Sequence, residues 1–319
     1  MSLLPMTALS ADHVLAEKGR TFHWARRLLG AIHAARATRL YRLCRYIDDM
    51  ADEAVSVDAA KAGLEQIAHD IFSGQSADPI ITDGLALMRE CQIDPAILLE
   101  LVKGVASDLA FVRIHDEDAL MRYCFRVAGT VGLMMCGVLD ASDPAALPHA
   151  VDLGIAMQLT NICRDISADA LAGRRYVPQT MLGALSAQAL VDPQPEIQVV
   201  LKQCVKVLLD RADVYYRSGE LGLSYLPLGA RSGILAAARN YRAIGSQLRQ
   251  RDFAYWEGRA VVLRRTKLVV TAHALLTVPL QSSFWLRPRR HDSHLHAALN
   301  GLLCLGAVSS ASPRSDHAV

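Results

Sequence analysis

A chain of 319 residues is ample to bury a sizeable core, as one large domain or two small ones. Hydrophobic residues make up 52% of it and charged residues 21%, while 34 Lys and Arg against 32 Asp and Glu leave a net charge of +2. So near-neutral a chain argues against general nucleic-acid binding, which usually carries a strongly basic domain, and the apolar excess fits an interior larger than packing alone requires.

The opening stretch MSLLPMTALSADHVLAEKGR has no basic region ahead of its apolar run, which argues against a secretory signal. Alanine and leucine then dominate and alternating Val/Ile runs are scarce, so helices should carry almost everything. The pattern predicts helices at about 22–54, 58–73, 79–90, 95–109, 116–138, 143–170, 197–219, 230–250 and 257–280. Breaks fall at Ser73-Gly74, Asp94-Pro95, Asp143-Pro144, Gly173, Pro178, Pro193 and Pro195. No apolar run reaches the roughly 18–20 residues of a membrane span. The run 268–280 reads as a core helix, and 295–308 as a tail or a membrane-surface segment. The expected organisation is one all-α domain over 1–285 and a C-terminal tail over 286–319. Seven cysteines, none in CxxC, signal neither a zinc site nor a disulfide framework and fit a reducing, cytoplasmic compartment.

Two stretches carry chemistry. The first, YRLCRYIDDMADE at 41–53, puts Asp48 and Asp52 on one helix face, with Arg45 and Tyr41 on the preceding turns. Asp49 is rotated by about 100° from Asp48 and is the weaker candidate. The second, QLTNICRDISAD at 158–169, aligns Asn161, Asp165 and Asp169 at i, i+4 and i+8, with Gln158 close to the same face. The flanking run 151–163 is otherwise apolar, so that helix should be buried, and carboxylates there destabilise unless paired or bound to metal. Two such rows facing one cavity supply hard oxygen ligands for Mg²⁺, with Mn²⁺ as the alternative ion. Arg45 and Arg164 would add bidentate contacts to phosphate oxygens. The competing reading, solvated helix faces with local ion pairs, is weakened because the acids occur twice, on apolar helices, with an Asn in a ligand position and no nearby excess of Lys.

On these motifs, with YCFRVAGTVGLMM at 123–135, AMQLTNICRDISADALAGRRYVP at 156–178 and the weaker LPLGARSGILAAARNYRAI at 226–244, the chain resembles the squalene/phytoene synthase family over roughly residues 18–270. The resemblance implies a class I isoprenoid-synthase helical bundle around a deep apolar cavity. It also implies a 1′-1 condensation of two allylic diphosphates through a cyclopropylcarbinyl diphosphate. For this chain the expected substrates are two geranylgeranyl diphosphates and the product is phytoene, with a C30 synthase using farnesyl diphosphate as the alternative. No NADPH is expected for the phytoene reaction. A non-catalytic scaffold protein and a class I terpene cyclase are rival readings of the same motifs.

Carried over by resemblance, Asp48, Asp52, Asn161, Asp165 and Asp169 would bind metal, and Tyr41, Arg45, Asp48, Asp52 and Asp165 would be catalytic. Tyr41, Arg45, Gln158, Asn161, Arg164 and Tyr241 match substrate- or diphosphate-contacting positions, while Tyr123, Tyr176, Arg259 and Lys267 are candidates for the second diphosphate and the rearrangement. Thr21 and Phe22 stand where the family commonly shows a Ser-Phe-Tyr-like start, and Phe125 where a Tyr is common. Gly129 and Gly132 would either make room for a prenyl chain or permit tight helix packing. An apolar product suggests peripheral membrane contact and delivery to downstream carotenoid enzymes. Three His-Asp dipeptides, His69-Asp70, His115-Asp116 and His291-Asp292, show no further His at metal-ligand spacing, so a metal phosphohydrolase is set aside. The basic Arg287-Pro288-Arg289-Arg290 is read as solvated, with anionic lipid the lesser option.

Overall fold

The computed structural model describes residues 28–110, 112–288 and 290–302. The long helices are α1 (Ala31–Asp52), α2 (Val57–Ser73), α3 (Pro79–Glu90), α4 (Pro95–Ala106), α5 (Glu117–Cys124), α6 (Thr130–Val138), α7 (Ala146–Leu171), α8 (Pro195–Leu221), α9 (Leu228–Gln250) and α10 (Arg264–Thr277). Among the described residues there is no strand; an isolated bridge pairs Arg113 with Arg175.

Local chemistry sets many of these ends. Ser56, Asp78, Asp94 and Asp116 accept backbone N–H groups at the starts of α2, α3, α4 and α5, each cap stabilising by about 1 kcal/mol. Pro79 and Pro95 follow their caps at the first helical position, where a missing N–H leaves no bond unmade. Gly74 ends α2 at φ 71°, a left-handed turn that glycine takes without strain.

The core falls into two apolar clusters. One gathers α1 to α4 around Leu43, Ile47, Ile67 and Leu98; the other gathers α5, α7 and α8 around Val151, Ile155, Leu159 and Leu208. Helix α7 is central, packing against α6, α8 and α9, and buries a stripe of Val151, Ile155, Leu159, Ile162 and Ile166.

Several expectations are corrected. The helix expected over 116–138 is interrupted by a π-helical turn at Phe125–Gly129, between α5 and α6. A Cβ on Gly132 would sit 2.2 Å from the Ala150 carbonyl oxygen, and one on Gly154 would sit 2.3 Å from that of Ala128. Gly132 and Gly154 therefore let two backbones touch, and both also line the cavity described below. The run 268–280 is not a core helix: α10 buries Thr271 and Ala274 but exposes Leu268, Val269 and Leu276. Residues 290–302, read as part of a polar tail, lie against the bundle. Leu299 is fully buried, Tyr215 Oη donates to the Leu295 carbonyl at 2.7 Å and Arg122 to that of Asn300 at 2.6 Å.

Candidate active site

A cavity of about 280 Å³ runs through the bundle between α1, α6, α7 and α9. Asp48 and Tyr41 of α1, Gln158 and Asn161 of α7 and Tyr241 of α9 give it a polar end, and the rest of its wall is mostly Ala, Leu, Val, Met and Gly. On α7 the lining extends from Asn161 back to Ala146, which at 1.5 Å per residue is about 22 Å of depth. Asp48 of the first row and Asn161 of the second thus meet at one mouth, because α1 and α7 both bring their C-terminal halves there, while Asp52, Asp165 and Asp169 are not among the lining residues.

Asp48 is half-buried in the first row. Burial pushes its carboxyl up to about 7, against the pull of Arg45 and with Asp52, Asp49 and Asp108 adding to the rise. Asp52 is more exposed and accepts from Arg174 Nη2 at 2.8 Å. Arg45 turns back on its own helix to pair with Asp49, so that the residue ranked behind Asp48 is the buried, ion-paired one.

In the second row, the Asn161 amide Nδ2 lies 3.4 Å from Gln158 Oε1, while its Oδ1 is buried with no hydrogen-bond partner. Asp165 is gripped by Arg164, its chain neighbour, and by Arg259, whose Nε lies 2.7 Å and Nη2 3.2 Å away. Burial raises the Asp165 carboxyl, but these two guanidinium groups outweigh it and hold it below the usual carboxylate range. Asp169 is pushed up to about 7 by burial first and by the charge of Asp165 next, Arg174 opposing.

Between the rows stands a carboxylate that the sequence did not single out. Asp108, just past α4, accepts from the hydroxyls of Tyr123 and Tyr176, each at 2.9 Å, and those rings stack with centroids 4.7 Å apart. Its charge acts on both Asp48 and Asp169. Arg174 was also missed as a site residue, though it lies inside the stretch 156–178; it bridges the loop after α7 to Asp52. Lys267, on the first turn of α10, is half-buried and is not among the cavity-lining residues. Thr21 and Phe22 lie outside the described residues.

The donor set fits a hard divalent cation. It is all oxygen, it contains a buried amide oxygen left without a donor, and burial with neighbouring carboxylates pushes two of its acids up to about 7, a rise that a bound cation would reverse.

The profile of the family described as Squalene/phytoene synthase matches residues 15–267. The chain belongs to that family. Among curated proteins it is 33% identical over 291 residues to the 15-cis-phytoene synthase of Enterobacter agglomerans, covering 84% of this chain and 98% of that one. It is 33% identical over 278 residues to the phytoene synthase of Rhodobacter capsulatus, covering 85% and 81%. Among solved structures, a dehydrosqualene synthase in complex with ligand superposes with a TM-score of 0.76 at 23% identity, over 85% of this chain and 96% of that one. A squalene synthase from Alicyclobacillus acidocaldarius gives 0.62 at 20% identity, over 76% and 99%. The family's all-α bundle is therefore the fold of this chain.

Proposed function

We propose that this protein joins two geranylgeranyl diphosphates head to head, through a cyclopropylcarbinyl diphosphate, to give phytoene, the first step of carotenoid biosynthesis. The observation that carries this reading is the single cavity with Asp48 and Asn161 at its mouth and an apolar wall about 22 Å deep behind them. An extended chain gains roughly 5 Å per isoprene unit, so four units match that depth better than three. The names of the relatives point to the same product.

A divalent cation, Mg²⁺ or Mn²⁺, neutralises the diphosphate when bound and makes it a better leaving group; Asp48, Asp52, Asn161, Asp165 and Asp169 are the residues that would hold it. Arg164 and Arg259 already stand at Asp165, and a diphosphate entering there takes over their N–H donors. Arg174 stands over Asp52 with the same capacity.

Behind the mouth, the apolar wall keeps water from the allylic cation. Burial pushes the Tyr41 phenol up to about 12, so its ring stays neutral and can face positive charge, worth about 1 kcal/mol or more. Tyr241 lines the same end. Attack by the second substrate's double bond and loss of a proton close the cyclopropane. A second ionisation, with loss of the second diphosphate, rearranges the skeleton, and a final proton loss gives a C40 polyene with a conjugated triene at its centre, so no hydride donor such as NADPH enters. Tyr123 and Tyr176, whose hydroxyls Asp108 holds, would steer the second diphosphate.

For location, we propose the cytoplasmic face of a membrane. No helix among the described residues is long and apolar enough to cross one. Leu268, Val269, Leu276, Leu280, Trp285 and Leu286 are exposed on α10 and the turns after it, with Arg264, Arg265 and Arg287 exposed beside them. Apolar side chains flanked by arginines suit an anionic lipid surface, from which a carotenoid-modifying enzyme would take the product.

The test is incubation with geranylgeranyl or farnesyl diphosphate and Mg²⁺, with and without NADPH, followed by product analysis. Phytoene from the C20 substrate without NADPH is expected. Turnover of farnesyl diphosphate alone would overturn the C40 assignment, and a cyclic product from one substrate would overturn the condensation.

A further inference from the structure

At the end of the cavity opposite the acidic mouth lies a second cluster of ligand-bearing side chains. His149 and Asp152 occupy successive turns of α7; Asp152 is 0% and His149 2% exposed. The segment after α10 brings two more imidazoles to them. His291 Nε2 stands 2.7 Å from Asp152 Oδ2, and His296 Nε2 stands 2.8 Å from Asp152 Oδ1. Ser218 of α8 donates its hydroxyl to Asp152 Oδ2. The His149 and His291 ring centroids are 5.0 Å apart, and those of His291 and His296 are 4.6 Å apart.

The tautomer of His149 follows from its partner. Its Nδ1 lies 2.8 Å from the Ser218 carbonyl oxygen, which can only accept, so Nδ1 carries the proton and Nε2 presents a lone pair. That is how metal-binding histidines are commonly oriented, with the far nitrogen tied to a carbonyl.

We propose that His149, Asp152 and His291, with His296 as fourth ligand, bind a transition-metal ion of the zinc class that clamps residues 290–302 onto α7 and α8. One ligand atom from each of His149, Asp152 and His291 already lies within 4.8 Å of the others. Donors around a tetrahedral zinc ion stand roughly 3.4 Å apart, so the ion enters by widening the two carboxylate–imidazole contacts and drawing the more distant donors of this trio inward, with His296, which stands outside the trio, brought in through its contact to Asp152. Three imidazoles and one carboxylate select zinc over magnesium, which prefers oxygen. Nine residues along α7, about 14 Å, separate Asp152 from Asn161, so one helix carries a nitrogen-rich site at its start and an all-oxygen one towards its end. His149 also lines the deep end of the cavity, so the clamp fixes the floor on which a prenyl tail ends. The inference is independent of the substrate assignment.

The sequence could not supply this cluster, because His291 stands 139 residues from Asp152 along the chain. The dipeptide His291-Asp292 is set aside in the sequence for want of further His at ligand spacing along the chain; the fold brings them, as the imidazole turns inward to Asp152 while Asp292 caps the following turn through His294 N.

The test uses the full chain without a polyhistidine tag, stripped by chelator and returned to Mg²⁺ buffer. Titration with Co²⁺ should give the intense visible spectrum of a tetrahedral ion at about one per chain, displaced by Zn²⁺, and Zn²⁺ should raise Tm. His291→Ala and His296→Ala, both on the docked segment rather than the core, should weaken Co²⁺ binding at least tenfold, whereas Asp165→Asn should leave it unchanged. If the wild-type chain shows neither the spectrum nor the Tm rise, the cluster is a hydrogen-bonded carboxylate only and the proposal fails. It fails equally if His291→Ala binds Co²⁺ as tightly as wild type.

Discussion

Arg174 Nη2 donates to Asp52 Oδ1 at 2.8 Å, joining the loop that follows α7 to the last turn of α1 across 122 residues of chain. The contact ties together the two helices whose acids meet at the cavity mouth. It sits at the rim, with 43% of the Asp52 side chain exposed, so as an ion pair it contributes little to stability. Its placement matters for charge.

Arg174→Ala should therefore leave Tm nearly unchanged while lowering kcat with geranylgeranyl diphosphate by roughly 100-fold, the usual loss when one preorganised donor to developing charge is removed. Thermal unfolding beside steady-state kinetics separates the two effects. A variant as active as wild type would remove Arg174 from the site.

Asn161→Ala deletes a half-buried amide whose buried Oδ1 has no donor in the protein. Removing an oxygen from the proposed metal set should weaken Mg²⁺ activation at least tenfold, moving the Mg²⁺ concentration for half-maximal rate upward. Folding should be little affected, and an unchanged Mg²⁺ dependence would contradict the assignment.

Gly132→Ala should destabilise by about 1–3 kcal/mol, because the added Cβ would lie 2.2 Å from the Ala150 carbonyl oxygen and backbone must move. Gly132 stands both at this backbone contact and on the cavity wall, so close packing and room for a prenyl chain, the two readings the sequence allowed, meet in one residue. The product of the surviving enzyme should keep its chain length, as read by product analysis beside a melting curve.

Glu100 offers a pH test away from the site. It is 3% exposed; burial raises its carboxyl, yet Lys103 Nζ at 2.6 Å and Arg126 Nε at 3.2 Å outweigh that and hold it below the usual carboxylate range. A carboxyl lower in the folded than in the unfolded chain contributes stability above its unfolded value and loses it as pH falls through its folded one. Glu100→Gln should thus lower Tm at neutral pH and lessen the fall of Tm below about pH 4.5.

The membrane face predicts that replacing Leu268, Val269 and Trp285 by serine reduces co-sedimentation with anionic liposomes. These side chains already face solvent, so Tm should hold. Equal binding by variant and wild type would rule this face out.

Much of the fold was legible because helix signals are local. Asp78-Pro79, Asp94-Pro95 and Ser73-Gly74 mark ends by their own chemistry, and the boundaries of α3 and the start of α4 fall where those residues predict. Both acidic rows were legible because the i, i+4 spacing alone places oxygens on one face. Asp108 was not, since its role comes from Tyr123 and Tyr176, which only the folded chain brings to it. The π turn at Phe125–Gly129 answers the close approach of α7, which leaves no trace in a periodicity. The exposure of α10 escaped notice because an apolar run reads the same whether it faces core or lipid.

The most direct test of the account is the count of diphosphates released per phytoene formed from geranylgeranyl diphosphate in Mg²⁺, for wild type, Asp48→Asn and Asp165→Asn. If one mouth built from both rows serves the reaction, wild type releases two per product and each variant alone loses activity by about 100-fold or more. Wild-type turnover in either variant, with that row's carboxylate gone, would contradict it.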